Sequence, residues 1–115
     1  MKESAIQQNI MLGISKPGVR IWRNNCGALK DQDGRLIRFG VANPGGSDLI
    51  GWRSVTVTPD MVGQKIAVFV AIEVKGERGR ATDAQVNFIS RVKADGGLAG
   101  IARSIDDALG IVEPL

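Results

Sequence analysis

The sequence predicts an α/β protein in which a mixed β-sheet is flanked by helices. Three observations lead there. Residues 66–72 read IAVFVAI, a wholly apolar run of strand length. Residues 54–58 read SVTVT, with β-branched side chains in alternation. Helical patterns stand at both ends of the chain, with Ile6, Ile10 and Ile14 at i, i+4, i+8 and with Phe88, Ile89 and Val92 on one later face.

Residues 3–15 form the first expected helix, ended by Pro17 and Gly18. A strand follows over 19–24. Residues 28–41 read as a hairpin turning on Asp33-Gly34, a favoured turn pair. NPGG at 43–46 is a second turn, and 48–58 a further strand. Pro59 suits the first position of a single helical turn. Residues 65–75 make the longest and most apolar strand, expected to be central and covered on both faces. GERGR is a loop. Residues 82–94 form a helix opened by a Thr82/Gln85 capping box and stopped by DGG at 95–97. A short strand over 98–103 precedes a last helix that starts at Ser104, with Asp106 and Asp107 at its positive end. The expected order is α-β-β-β-β-β-α-β-α.

With 115 residues the chain fits a single domain, 1–115, with one modest core. Its hydrophobic share of 43% and charged share of 23% are those of an ordinary globular protein. No apolar run approaches the ~18 residues of a membrane span. MKESAIQQNIM lacks the continuous apolar segment of a secretory signal. The single Cys26 has no internal disulfide partner, which points to a reducing, cytoplasmic setting. A net charge of +3 is compatible with a polyanionic partner without requiring one. The chain has no histidine and no tyrosine. That excludes histidine-ligated zinc, Ser-His-Asp and Cys-His nucleophile systems, and phosphohistidine or phosphotyrosine intermediates. An enzyme of this composition works with carboxylates, Lys, Arg, Ser, Thr and a hard metal ion. No G-x-G-x-x-G or P-loop pattern supports a nucleotide cofactor.

Glu73 and Lys75 end the long apolar strand, and their i, i+2 spacing puts them on one face with Val74 pointing away. Either the strand simply emerges into solvent there, or the two charges are placed for chemistry. Asp48 follows a Gly-Gly-Ser turn. If its strand pairs antiparallel with the Glu73 strand, two carboxylates and one ammonium converge into a hard-cation site with a water-orienting group. By itself, Asp48 also reads as a turn-capping residue. Glu3 either faces inward one turn before Ile6 or stabilises its helix through the dipole. Gln85 serves the capping box and also shares the face of Phe88, Ile89 and Val92. Arg78, Arg80 and Lys16 are candidate phosphate contacts, each with solvated surface charge as the alternative. Trp22 and Trp52 read as core residues rather than base-stacking platforms.

GGSDLIG, followed after about two dozen residues by AIEVKGERGRATDAQVNFI, closely resembles the VRR-NUC family of the PD-(D/E)xK nuclease superfamily. The family comprises virus-type replication-repair nucleases, and the likeness covers nearly the whole chain, as in compact stand-alone phage or prophage members. Ser47 stands where the superfamily motif has proline. The resemblance implies a restriction-endonuclease-like fold and a metal-dependent DNA endonuclease. It implies Mg2+ or Mn2+ held by Asp48, Glu73, the Val74 carbonyl and Glu3. Lys75 would position and help deprotonate the attacking water, and Gln85 would support the site. Stand-alone members suggest cleavage of branched DNA such as four-way (Holliday) junctions, and the two-fold symmetry of a junction suggests a homodimer. The other reading is a non-catalytic nucleic-acid-binding module, for which 4% aromatic residues supply few stacking platforms.

Overall fold

A computed structural model describes residues 2–114. The class is mixed α/β, with small sheets and three α-helices: α1 (Glu3–Ile14), β1 (Val19–Arg23), β2 (Gly27–Lys30), β3 (Leu36–Phe39), β4 (Leu49–Arg53), β5 (Val70–Val74), α2 (Asp83–Ala94), β6 (Leu98–Ala102) and α3 (Ile105–Val112). A 3-10 turn at Pro59–Met61 occupies the helical turn expected at Pro59. Among the described residues no helix is long and apolar enough to cross a membrane. Among the described residues the strands pair as β1 with β4, β2 with β3, and β5 with β6. The chain divides into two compact units, Met1–Arg53 and Ser54–Leu115.

In the first unit β1 and β4 run antiparallel, from Val19↔Arg53 to Arg23↔Leu49. β2 and β3 form the hairpin expected over 28–41. Its turn is tied by the Asp31 carboxylate, which accepts from the backbone N–H of Asp33 (2.9 Å) and of Arg35 (2.8 Å). This is the local side-chain bonding that makes Asp a turn residue. The strand expected over 48–58 stops at Arg53. β1 begins only at Val19, after the Pro17-Gly18 break, so residues beyond Arg53 have no partner backbone in this ladder. SVTVT has strand propensity and no strand to pair with, and propensity alone does not hold an extended chain. The Ile6, Ile10 and Ile14 stripe of α1 is exposed, while Ala5, Gln7 and Met11 are half-buried.

In the second unit β5, α2 and β6 form a parallel β-α-β unit with register Val70↔Leu98 to Val74↔Ala102. Backbone bonds from Leu98 N–H to the Phe69 carbonyl (2.9 Å) and from Lys75 N–H to the Ala102 carbonyl (3.1 Å) bracket the ladder. β5 therefore covers half of the predicted 65–75, because β6 is five residues long and sets the length of the pair. Nor is β5 covered on both faces: Ala71 and Glu73 are half-buried, whereas Val70, Ile72 and Val74 are exposed. Val92, Ala99 and Ala102 are the buried apolar residues, with Val92 only 1% exposed.

Helix α2 starts and stops as its sequence dictates. The Thr82 hydroxyl accepts from the Gln85 backbone N–H (3.1 Å) and the Gln85 side-chain oxygen from the Thr82 N–H (2.9 Å). At the other end Gly97 N–H donates to the Val92 carbonyl (2.8 Å) and Gly96 N–H to the Lys93 carbonyl (3.1 Å). Together these make a Schellman stop, and Gly96 supplies its left-handed residue at φ 98°. Thr82→Ala removes one half of the capping box. We expect it to cost about 1 kcal/mol, read as a lower urea midpoint at an unchanged m-value.

Candidate active site

The candidate site in the second unit grows from the end of β5. Alternation along the strand puts Ala71, Glu73 and Lys75 on one face. Lys75 Nζ lies 3.6 Å from Glu73 Oε2, and the side chains are 18% and 30% exposed respectively. The pair is half-buried, so water reaches it without flooding it. Helix α2 crosses this face. An open hollow between β5 and α2 is lined by Ala71, Glu73, Ala84, Gln85, Phe88 and Ile89. Gln85 thus meets both expectations: it closes the capping box and it borders the same hollow as Glu73. The apolar walls lower the local dielectric beside the carboxylate, which strengthens its interaction with a cation. The backbone carbonyl of Val74 lies between the two charged residues in sequence, and the Val74 side chain is 73% exposed.

Beyond Lys75 the chain turns back at once. Gly79 N–H donates to the Gly76 carbonyl (3.2 Å), and the position a Cβ on Gly79 would take is 3.4 Å from Cβ and Cδ of Lys75. Arg78 and Arg80 are exposed on this loop. The position suits an anionic ligand approaching the carboxyl end of β5.

The first unit holds the other candidates. Asp48 is exposed and immediately precedes β4. Asn24, at the end of β1, organises the loop that leads to it. Its side-chain amide donates to the carbonyls of Val41 (2.9 Å) and Ser47 (3.0 Å), its side-chain oxygen accepts from Val41 N–H (2.9 Å), and its backbone N–H donates to the Asp48 carbonyl (2.8 Å). Asn24 carries one signal in the residues alone, an amide closing a strand opposite a Gly-rich turn. Glu3 is exposed in the first turn of α1. Lys16 borders a groove with Ser15, Pro17, Arg20 and Trp22. Trp22 and Trp52 meet edge to face with centroids 5.0 Å apart, and Trp22 is 39% exposed, so it is not the enclosed core residue expected.

Asp48 and Glu73 belong to different compact units: β4 pairs with β1 in the first and β5 with β6 in the second. Among the described residues no group of three or more acidic or cysteine side chains forms a preassembled metal cage. The donors present are hard oxygens, carboxylates and a main-chain carbonyl. That chemistry suits Mg2+ or Mn2+, and Mg2+ in particular is ordinarily held by one or two carboxylates together with water and substrate phosphate.

No curated protein and no solved structure matches this chain. The VRR-NUC domain family matches it over residues 1–106, which takes in α1, the turn before Asp48, the Glu73–Lys75 strand and the Gln85 helix. A match over that share of 115 residues settles membership: the chain belongs to the VRR-NUC family, a family of nucleases.

Proposed function

We propose that this protein is a metal-dependent endonuclease that hydrolyses phosphodiester bonds in DNA, with a preference for branched substrates such as four-way junctions. The observation that carries this reading is the half-buried Glu73–Lys75 pair at the carboxyl end of a parallel strand, with Gln85 on the same hollow. Support for treating both compact units as one nuclease domain, 1–115, comes from the family match, which runs through both.

Glu73 and Asp48, with the Val74 carbonyl and Glu3, would hold Mg2+ or Mn2+. When bound, the ion acidifies a water and offsets charge on the scissile phosphate. Glu73 lies 3.6 Å from the Lys75 ammonium and so restrains it near the strand end. Lys75 orients the attacking water by hydrogen bonding and stabilises the charge that develops on the phosphate oxygens. Gln85 contributes an amide at the wall of the hollow to hold the Glu73 carboxylate's orientation. Arg78, Arg80 and Lys16 contact flanking phosphates and fix register rather than sequence. Paired cuts across a two-fold junction call for two such sites, so we take the working form to be a homodimer.

The test incubates end-labelled four-way junction, flap, single-stranded and linear duplex DNA with Mg2+, Mn2+ or EDTA. Cuts that need the metal, and that fall most heavily on the junction, are the expected result. Binding without cleavage under either metal would replace this reading with a non-catalytic DNA-binding module. A monomer by light scattering that still resolves junctions would remove the dimer.

A further inference from the structure

Arg103 has no part in the reading above, and its side-chain hydrogen bond leads toward Lys75. It directly follows the last residue of β6. Its guanidinium donates through Nη1 to the Gly76 carbonyl, the first peptide oxygen after Lys75. That same carbonyl accepts from Gly79 N–H (3.2 Å) and so closes the turn that lies against the Lys75 stem. Arg103 is itself anchored. Its backbone N–H donates to Asp107 Oδ2 (2.9 Å), and Asp107 N–H donates to the Ser104 hydroxyl (3.1 Å) at the start of α3. One step back, Lys75 N–H donates to the Ala102 carbonyl (3.1 Å). The strand end that carries Lys75 is thus held by its ladder bond on one side and by Arg103 on the other.

We infer that Arg103 is the positioning residue for Lys75: through the Gly76 carbonyl it holds the Gly76–Gly79 turn against the lysine stem and so directs the ammonium in DNA cleavage. The inference rests on the proposed nuclease activity. The physical need is plain. Lysine has four rotatable side-chain bonds, and an ammonium free to sample them spends little time where an attacking water sits. A turn beside the stem, near enough that a methyl on Gly79 would touch Cβ and Cδ, narrows that freedom before substrate arrives. Glu73 restrains the tip of the side chain, and Arg103 restrains the backbone and stem. A guanidinium suits the task because it stays charged and its planar fork reaches a carbonyl with little further loss of freedom.

The experiment compares wild type with Arg103→Gln, Arg103→Lys and Ser104→Ala in metal-dependent DNA cleavage. It also follows hydrogen exchange at the Gly79 amide without DNA. We expect Arg103→Gln to lower kcat about ten-fold with KM changed less than about two-fold, since misplacement of a reacting group acts on rate. Exchange at Gly79 should quicken in the same variant. Arg103→Lys can still donate to the carbonyl and should recover much of kcat. Ser104→Ala loosens the α3 cap behind the Arg103 backbone and leaves the guanidinium in place, so it should lower Tm and cost kcat much less than Arg103→Gln. A rise in KM with unchanged kcat would overturn the inference by making Arg103 a DNA contact. So would an equal loss of kcat in Ser104→Ala, or wild-type cleavage by Arg103→Gln. If the wild type does not cleave DNA, the nuclease reading fails by itself. The exchange arm then decides the inference alone, and unchanged Gly79 exchange in Arg103→Gln refutes it.

Discussion

Lys75→Ala is expected to reduce DNA cleavage by at least about 10²-fold while the protein stays folded. The size follows from the role: a positioned group that handles a proton or stabilises transition-state charge is worth roughly 10² to 10⁴ in rate. The small folding cost follows from the surroundings. Lys75 keeps 18% of its side chain in solvent and Glu73 30%, so truncation leaves a carboxylate that water can still reach. The cost of losing such a pair is within about 1 kcal/mol. Glu73→Gln is the companion variant. It keeps the shape of the side chain and removes the negative charge that a divalent cation needs, so cleavage should be lost with Mg2+ and with Mn2+ alike. EDTA should abolish wild-type cleavage as fully as either substitution. The measurement is single-turnover cleavage of a labelled junction beside a thermal melt of each variant. Cleavage retained in Lys75→Ala would take the chemistry away from β5 altogether. A collapse of Tm in that variant would mean that the pair serves the fold.

Gly51→Ala is expected to have the largest effect on stability. Gly51 sits in the middle of the β1–β4 ladder opposite Ile21. A Cβ placed there would run into the Arg20 carbonyl oxygen and lie 2.8 Å from the Ile21 Cα. Both obstacles are backbone, which has no rotamer to change, so the strands must part or bend. Overpacking relieved only by moving backbone belongs among the most damaging substitutions, at about 3 kcal/mol or more. For a domain of this size that is a fall in Tm of roughly 10 °C or more. The same ladder carries Asp48, a metal ligand in the proposed function: it directly precedes Leu49 and its carbonyl accepts from Asn24 N–H at 2.8 Å. Cleavage should therefore fall with stability in Gly51→Ala, whereas in Lys75→Ala the two part company. Calorimetry of Gly51→Ala beside an exposed control such as Arg53→Ala makes the comparison. A Tm within about 2 °C of wild type would mean that β1 and β4 separate at little cost, contrary to the expectation for a clash at backbone.

Elements whose signals are local were legible in the residues alone. The capping box of α2 needs only Thr82 and Gln85, and its stop needs only the glycines at 96 and 97. The hairpin at 28–41 needs an Asp-rich turn with glycine, and its Asp31 ties are made within four residues. Glu73 beside Lys75 needs only the period of a strand. Family membership belongs in the same group, because it rests on residue types at set spacings.

Partner choice was decided by the tertiary structure, because a strand does not encode the strand it will lie against. SVTVT has the composition of a strand and stays outside one, since β1 ends its ladder at Arg53. β5 reads as a long strand covered on both faces and is cut to five half-open residues by the length of β6. Asn24 and Arg103 were invisible for the same reason. Their bonds reach 17 to 27 residues along the chain, to backbone oxygens that no side-chain pattern marks. The sequence by itself determined the family and where each helix begins, since those depend on residue types at set spacings and on neighbours within a turn. Only the tertiary structure decided which strands pair and which distant side chains hold the chemical groups in place, since pairing and anchoring are free energies of contact between segments that the sequence leaves far apart.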